Sequence, residues 1–159
     1  MDVRTLLTVL ALGACAVGAV PPAQADPVPP QPDTACAAEL DGALTGAAGS
    51  DALLQCRDGS WQPYTEVYPA SDRWLTTGAP LTLHGQGMRN PEVHAGRWTG
   101  TPQDGESACT STQIDVVAAG ELAAPQTLTG DPGQPLEFPV SAKLFSITLS
   151  GFCLWQRSS

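Results

Sequence analysis

Residues 144–155 read LFSITLSGFCLW, and this stretch decides the fold. Phe145, Ile147, Leu149, Gly151, Cys153 and Trp155 share one parity, with Ser146, Thr148 and Ser150 between them. Phe152 and Leu154 bring apolar character to the second parity only near the end. Alternation with period two is the mark of a β-strand with one buried face. A helix would need apolar residues at i, i+3 and i+4, and the Thr, Ile and Phe content also favours a strand. Cys153 lies on the apolar parity, so a disulfide there would tie this strand to a partner across the core.

Similar signals recur upstream. Residues 52–56 (ALLQC) and 60–64 (SWQPY) flank Arg57-Asp58-Gly59, and Asp-Gly between apolar segments is a strong hairpin signal. Residues 80–84 (PLTLH) alternate, and residues 97–101 (RWTGT) read as another strand. Ile114 and Val116 share a parity within residues 109–117, as do Leu136, Phe138 and Val140 after the turn at residues 130–133. Residues 36–45 are expected to form one or two helical turns, and residues 64–74 (YTEVYPASDRW) an aromatic connector. Beyond Thr45 there is no 3.6-residue period and no internal repeat. Short strands punctuated by 16 Gly and 15 Pro predict an all-β fold, a small antiparallel β-sandwich or barrel with two disulfides.

The N-terminal end reads as an export signal. Arg4 precedes the uncharged apolar residues 6–20, and Ala23-Gln24-Ala25 supplies an A-x-A cleavage site. The run is short and Gly-containing for a membrane span, which wants about 20 apolar residues. Residues 1–25 are therefore expected to be a signal peptide helix, with cleavage after Ala25. Leu12-Gly13-Ala14-Cys15 resembles a bacterial lipobox, so anchoring through a lipidated Cys15 is the alternative to simple secretion. Residues 26–35 (DPVPPQPDTA) are a Pro-rich tether expected to be extended and unpacked. Residues 36–159 form the disulfide-stapled β-domain, with an N-terminal hairpin segment at 36–68 and the main sheet at 69–159. The expected location is extracellular or in the cell envelope, with no transmembrane segment in the mature chain. The net charge of −9 is unchanged by removal of Asp2 and Arg4 together. So acidic a chain has no electrostatic footprint for nucleic acid or anionic lipid.

Four cysteines remain after the leader: Cys36, Cys56, Cys109 and Cys153. An even number behind an export signal implies two disulfides in an oxidising compartment. No C-x-x-C pair is present, and the spacing suits no zinc site. Four cysteines permit three connectivities; pairing nearest neighbours within two segments favours Cys36–Cys56 and Cys109–Cys153.

The run SDRWLTTGAPLTLHGQGMRNPEV (residues 71–93), GRWTGTPQD (residues 96–104) and the closing LSGFCLW (residues 149–155) resemble a group of uncharacterised small exported proteins of mycobacteria and related actinobacteria. More loosely, Gly96-Arg97-Trp98-Thr99, Cys109 and residues 145–155 are similar to an actinobacterial extracellular β-domain in which the two cysteines pair. That resemblance implies Cys109–Cys153, although this chain lacks the Tyr-Trp pair that follows the first cysteine there. It implies compartment and architecture, and brings no activity.

Few residues offer chemistry. His84 and His94 are the only histidines, with Glu92, Asp58 and Asp72 as carboxylate partners. Glu92-Val93-His94 on a strand would place both polar side chains on one face, the geometry of a metal or acid–base site. Exposed, hydrogen-bonding loop histidines are the plainer reading. Gly59-Ser60 and Ser150-Gly151 do not extend to a nucleophile elbow, and Gly85-Gln86-Gly87 lacks the third glycine of a phosphate-binding turn. No cofactor is implied. Trp61, Tyr64, Tyr68, Trp74 and Trp98 make the middle of the chain aromatic, either as core filling or as a platform for a sugar or protein. Tyr64, Tyr68 and Trp74 are the candidate binding surface. The expected function is that of an exported, non-enzymatic binding module for a protein or glycan surface. The alternative is a small secreted hydrolase using His84 or His94 with an Asp.

Overall fold

The computed structural model describes residues 27–158; the expected signal peptide, with its cleavage site and Cys15, lies outside the described residues. Ten strands follow in order: β1 (Leu44–Gly46), β2 (Leu53–Arg57), β3 (Ser60–Pro63), β4 (Arg73–His84), β5 (Gly96–Pro102), β6 (Thr110–Ala118), β7 (Glu121–Leu122), β8 (Gln126–Thr129), β9 (Leu136–Val140) and β10 (Leu144–Arg157). The fold is all-β and mostly antiparallel, with disulfides Cys36–Cys56 and Cys109–Cys153 as expected. The one exception to antiparallel pairing is β1 on β4, at Leu44 and Trp74.

The alternating stretch is the hub. One edge of β10 pairs β4 along its length, from Ser146–His84 to Gln156–Arg73. The other edge pairs β6 from Leu144 to Ser150, then β5 from Cys153 to Arg157. All ten strands thus join one branched sheet, in the order β3-β2-β1-β4-β10-β5-β9 with β6, β7 and β8 branching from β10. With no helical layer among the described residues to cover it, the sheet supplies both walls of its own core.

That core follows the parity from Ile147 onward, while the irregularity between Leu144 and Ser146 buries Leu144 in place of Phe145. Ile147, Leu149, Cys153 and Trp155 are buried with Leu44, Trp74, Leu83, Val93, Trp98, Cys109, Phe138, Val140 and Leu144. A transverse row runs Leu44, Trp74, Trp155, Gly100, Leu136 across five strands. A Cβ on Gly100 would stand 2.5 Å from the Trp155 ring, so this glycine leaves the space the indole fills. Phe138 meets the same indole edge-to-face, with centroids 5.9 Å apart. Buried Thr76 accepts a hydrogen bond from the Trp155 indole N–H (2.9 Å) and donates to the Gly151 carbonyl (2.6 Å), which satisfies both polar groups. A second cluster holds Leu54, Cys56, Trp61 and Leu75, with Phe152 against it. Here the second-parity residues of β10 find their place.

The handover of the β10 edge from β6 to β5 occurs at residues 150–153. Gly151 has φ 96°, and a Cβ there would drive into the Ala108 carbonyl. Opposite, Ala79-Pro80 of β4 face the single residue Ser150, a bulge between the Leu149–Leu81 and Gly151–Gly78 pairs. Proline within a long strand is tolerated at such a bulge. β4 therefore begins at Arg73, absorbing the end of the expected connector, and does not start at Pro80. The Cys109–Cys153 bridge crosses the handover, with both cysteines fully buried.

Several local expectations meet their geometry. Arg57 pairs Ser60, and Asp58 (φ 53°) and Gly59 (φ 78°) form the two-residue turn of the β2–β3 hairpin. The expected helical turns shrink to a single 3-10 turn at Ala38–Leu40. The tether expected to be unpacked is tied down at its end. Asp33 donates to the Trp61 carbonyl, Trp61 to Thr34 and Cys36 to Gly59, at 2.8–3.0 Å. The outer edge of β3 needs backbone partners, and residues 33–36 contain no proline to withhold them. β7 and β8 were not anticipated: β8 is exposed throughout and has no buried parity. Its Thr127 sits in register with Thr112, Thr148 and Thr82 on a polar face, with Thr112–Thr127 and Thr82–Thr148 hydroxyls each 2.9 Å apart.

The Cys109–Cys153 bridge closes a separation of 44 residues and Cys36–Cys56 one of 20. On chain entropy alone, the longer loop contributes about 4 kcal/mol and the shorter about 3 kcal/mol. Cys153→Ser additionally strands a hydroxyl and the Cys109 thiol in the main core. Thermal melts should therefore rank Cys153→Ser below Cys56→Ser. The reverse order would remove the β10 handover from the centre of the fold.

Candidate functional site

The parallel contact between β1 and β4 shapes a large recess. β1 meets β4 at Trp74 and then diverges from it, because residues 46–52 turn into the β1–β2 loop while β4 runs on to His84. The space between becomes an open groove of about 800 Å³, walled by residues 45–53, by residues 75–83 of β4 and by the connector around Tyr64, Glu66, Val67 and Pro69. A volume of this order is that of a typical ligand cleft. Asp51, Glu66 and Glu92 line it, and among the described residues no Lys or Arg does. Pro29 of the tether reaches it as well.

Tyr64 is half-buried, packed against the main core with its ring lining the groove. Burial, and then the neighbouring Glu66 carboxylate, raise its phenol above the usual value. Val67, 81% exposed, stands beside it as an apolar side chain without a core to enter. Tyr68 is also exposed. Trp74 is a correction: expected on the surface with these tyrosines, it is fully buried. It lies between Leu44 of β1 and Trp155 of β10 on the inner parity, and its indole N–H donates to the Ser71 carbonyl at 3.1 Å. All four tryptophans are buried, so aromatic core filling accounts for Trp61, Trp74, Trp98 and Trp155.

The histidines separate into two pairs. Residues 91–95 are not a strand, Val93 turns inward, and its neighbours diverge. The Glu92 carboxylate accepts the His84 backbone N–H at 2.8 Å and stands 3.2 Å from its Nδ1. His94 Nδ1 is 3.6 Å from Asp72 Oδ1, beyond hydrogen-bond reach. Asp72 is already held by both Arg157 Nε (2.8 Å) and Nη2 (2.9 Å), and it raises the guanidinium pKa. This fork clamps the start of β4 to the end of β10. The expected Glu92–His94 pair is thus not formed, and Asp58 sits at the β2–β3 turn without an ion pair among the described residues. Among the described residues, no three His, Cys, Asp or Glu side chains converge as metal ligands.

A smaller recess of about 260 Å³ lies between β6, β8 and β9. No helix among the described residues is long and apolar enough to cross a membrane. Sequence reading pointed to Tyr64 but missed Glu66, Val67, Leu81 and the β1–β2 loop. The available signal was an acidic and an apolar residue, Glu66-Val67, set between two tyrosines in a segment with no strand pattern. None of the protein-family models, curated proteins or solved structures compared with this chain matches it.

The raised Tyr64 pKa has a sign that can be checked. A folded value above the unfolded one contributes stability at pH below about 10, which is lost as pH rises through the folded value. Titration of the Tyr64 ring carbon by NMR should show ionisation above the free value. Glu66→Gln should lower it part of the way, leaving the share due to burial. A Tyr64 that titrates at or below the free value would show that the ring does not sit in the groove wall.

Proposed function

We propose that this protein is an exported binding module, and that the groove beside β4 is where its partner seats. The observation that carries the reading is an open, acid-lined cleft with Tyr64, Val67 and Leu81 on a doubly cross-linked β-scaffold. Two structural disulfides suit an oxidising, extracellular compartment. The A-x-A leader and the likeness to small exported actinobacterial proteins support the same placement, with the lipid-anchored form as its variant. The alternative of a secreted hydrolase draws on the His84–Glu92 and His94–Asp72 proximities. Each of those carboxylates is committed to a backbone or guanidinium donor, and neither pair stands beside an activated nucleophile of recognised pattern.

The test is binding to isolated cell envelopes of the source organism by purified secreted protein. Ala48→Trp, on the exposed loop wall, should fill the groove and abolish saturable binding. The double variant His84→Ala/His94→Ala should bind as the parent does. Retained binding in Ala48→Trp rejects the groove as the site. A hydrolytic activity of the parent that disappears in the folded His double variant would establish the enzyme instead.

A further inference from the structure

The two edges of β4 have unequal fates. One is paired with β10 from end to end. On the other, the ladder to β1 stops at Trp74, and the next backbone contact is the His84 carbonyl, which accepts the N–H groups of Glu92 (2.9 Å) and Val93 (3.2 Å). Between these points backbone groups alternate between the two edges; the Leu75 N–H is still taken up by the Leu44 bridge, and the outward groups of Thr77 and Thr82 have no backbone partner among the described residues. Proteins ordinarily cover, shorten or interrupt such an edge, because its unpaired N–H and C=O groups are a template for another strand. Here Pro80 and the bulge interrupt it only in the middle, leaving the outward N–H and C=O of Thr77 before it and of Thr82 after it open. The loop and the connector stand off as walls of the groove and do not cover the edge.

A recess with a strand edge as one wall has the form required for strand addition. Main-chain hydrogen bonds hold an extended peptide, and alternate side chains enter the flanking recess. A new strand would lie about 4.8 Å from β4, within the space between β4 and the β1–β2 loop. Charge selects the class of occupant. Asp51, Glu66 and Glu92 line the groove with no Lys or Arg opposing them among the described residues, on a chain of net charge −9. A second copy of this acidic chain would meet like charge there, whereas Lys or Arg at alternate positions would meet carboxylates. Between those positions, side chains would contact Tyr64, Val67 and Leu81. Resting on the binding-module reading, we infer that the groove takes a basic, extended peptide segment of a partner protein as an added strand on the outer edge of β4.

A phage-displayed library of random seven-residue peptides, selected on the full secreted protein, tests this. The enriched sequences should carry Lys or Arg at alternating positions. Synthetic copies should protect the outward backbone amides of Thr77 and Thr82 and shift those of their neighbours in β4 in NMR spectra. Methylating alternate backbone nitrogens of the peptide should weaken binding by about tenfold or more, since donors to the ladder are lost. Glu66→Lys should weaken it by about threefold, the scale of an exposed charge pair. Acidic or uncharged winners, unchanged affinity after N-methylation, or amide shifts away from β4 would each overturn strand addition. So would the absence of any enriched peptide. If peptides fail while Ala48→Trp still abolishes envelope binding, strand addition falls and the groove remains the site. If Ala48→Trp leaves envelope binding intact, the groove reading falls with it.

Discussion

Strand β10 has two edges and three long partners, so one edge must be shared. β6 takes its first half and β5 its second, and the exchange is confined to residues 150–153. Only a residue without a Cβ can stand at that point, because the Ala108 carbonyl occupies the place a side chain would take at Gly151. The disulfide to Cys109 then fixes the start of β6 to the strand that has just released it. Thr76 reaches across from β4 to the Gly151 carbonyl, while its oxygen receives the Trp155 indole. Backbone, hydroxyl, indole and disulfide thus converge on one short stretch, and the two arms of the sheet diverge from it.

Charged contacts support the sheet at its margins. Arg157 joins Asp72, Arg97 joins Glu137, and Arg73 donates to the Glu39 carbonyl. The first and last of these bind the opening of β4 to its surroundings, one at the end of β10 and one at the 3-10 turn. Exposed pairs of this kind contribute about 1 kcal/mol or less each. Their role is to hold the point where β1 leaves β4, and from there the groove opens.

What could be read from the chain was what depends on neighbours in sequence. The parity of Ile147, Leu149, Cys153 and Trp155 located the main core, and Asp58-Gly59 located a tight hairpin. The parity rule was incomplete where both faces are covered: Phe152 and Leu154 face the second cluster or its surroundings and are not solvent-side exceptions. Trp74 was misplaced because it ends the segment 64–74, which read as an aromatic connector, whereas its burial comes from Leu44 and Trp155, distant in sequence. β4 was cut short at Pro80 because a proline normally ends a strand, and the bulge that admits it is set by β10. The groove left no local trace at all. It exists because two segments about thirty residues apart pair once and then part, and the carboxylates around it are scattered from Asp51 to Glu92.

The hub strand is also the last described element, and this orders events in time. As the chain emerges from its N-terminal end, β2 and β3 can close their hairpin at once, and β6 can find β8. β4 cannot be completed early: with a single β1 contact on one side, it waits for residues 144–157 on the other. The Trp74 and Leu83 side chains therefore stay without their final neighbours, Trp155 and Ile147, until β10 arrives. Assembly depends on contacts of long sequence separation, such as Arg73 with Gln156, which makes closure slow relative to local hairpins. The sheet cannot mature before β10 is in place, and that strand acts as the latch that closes both arms at once.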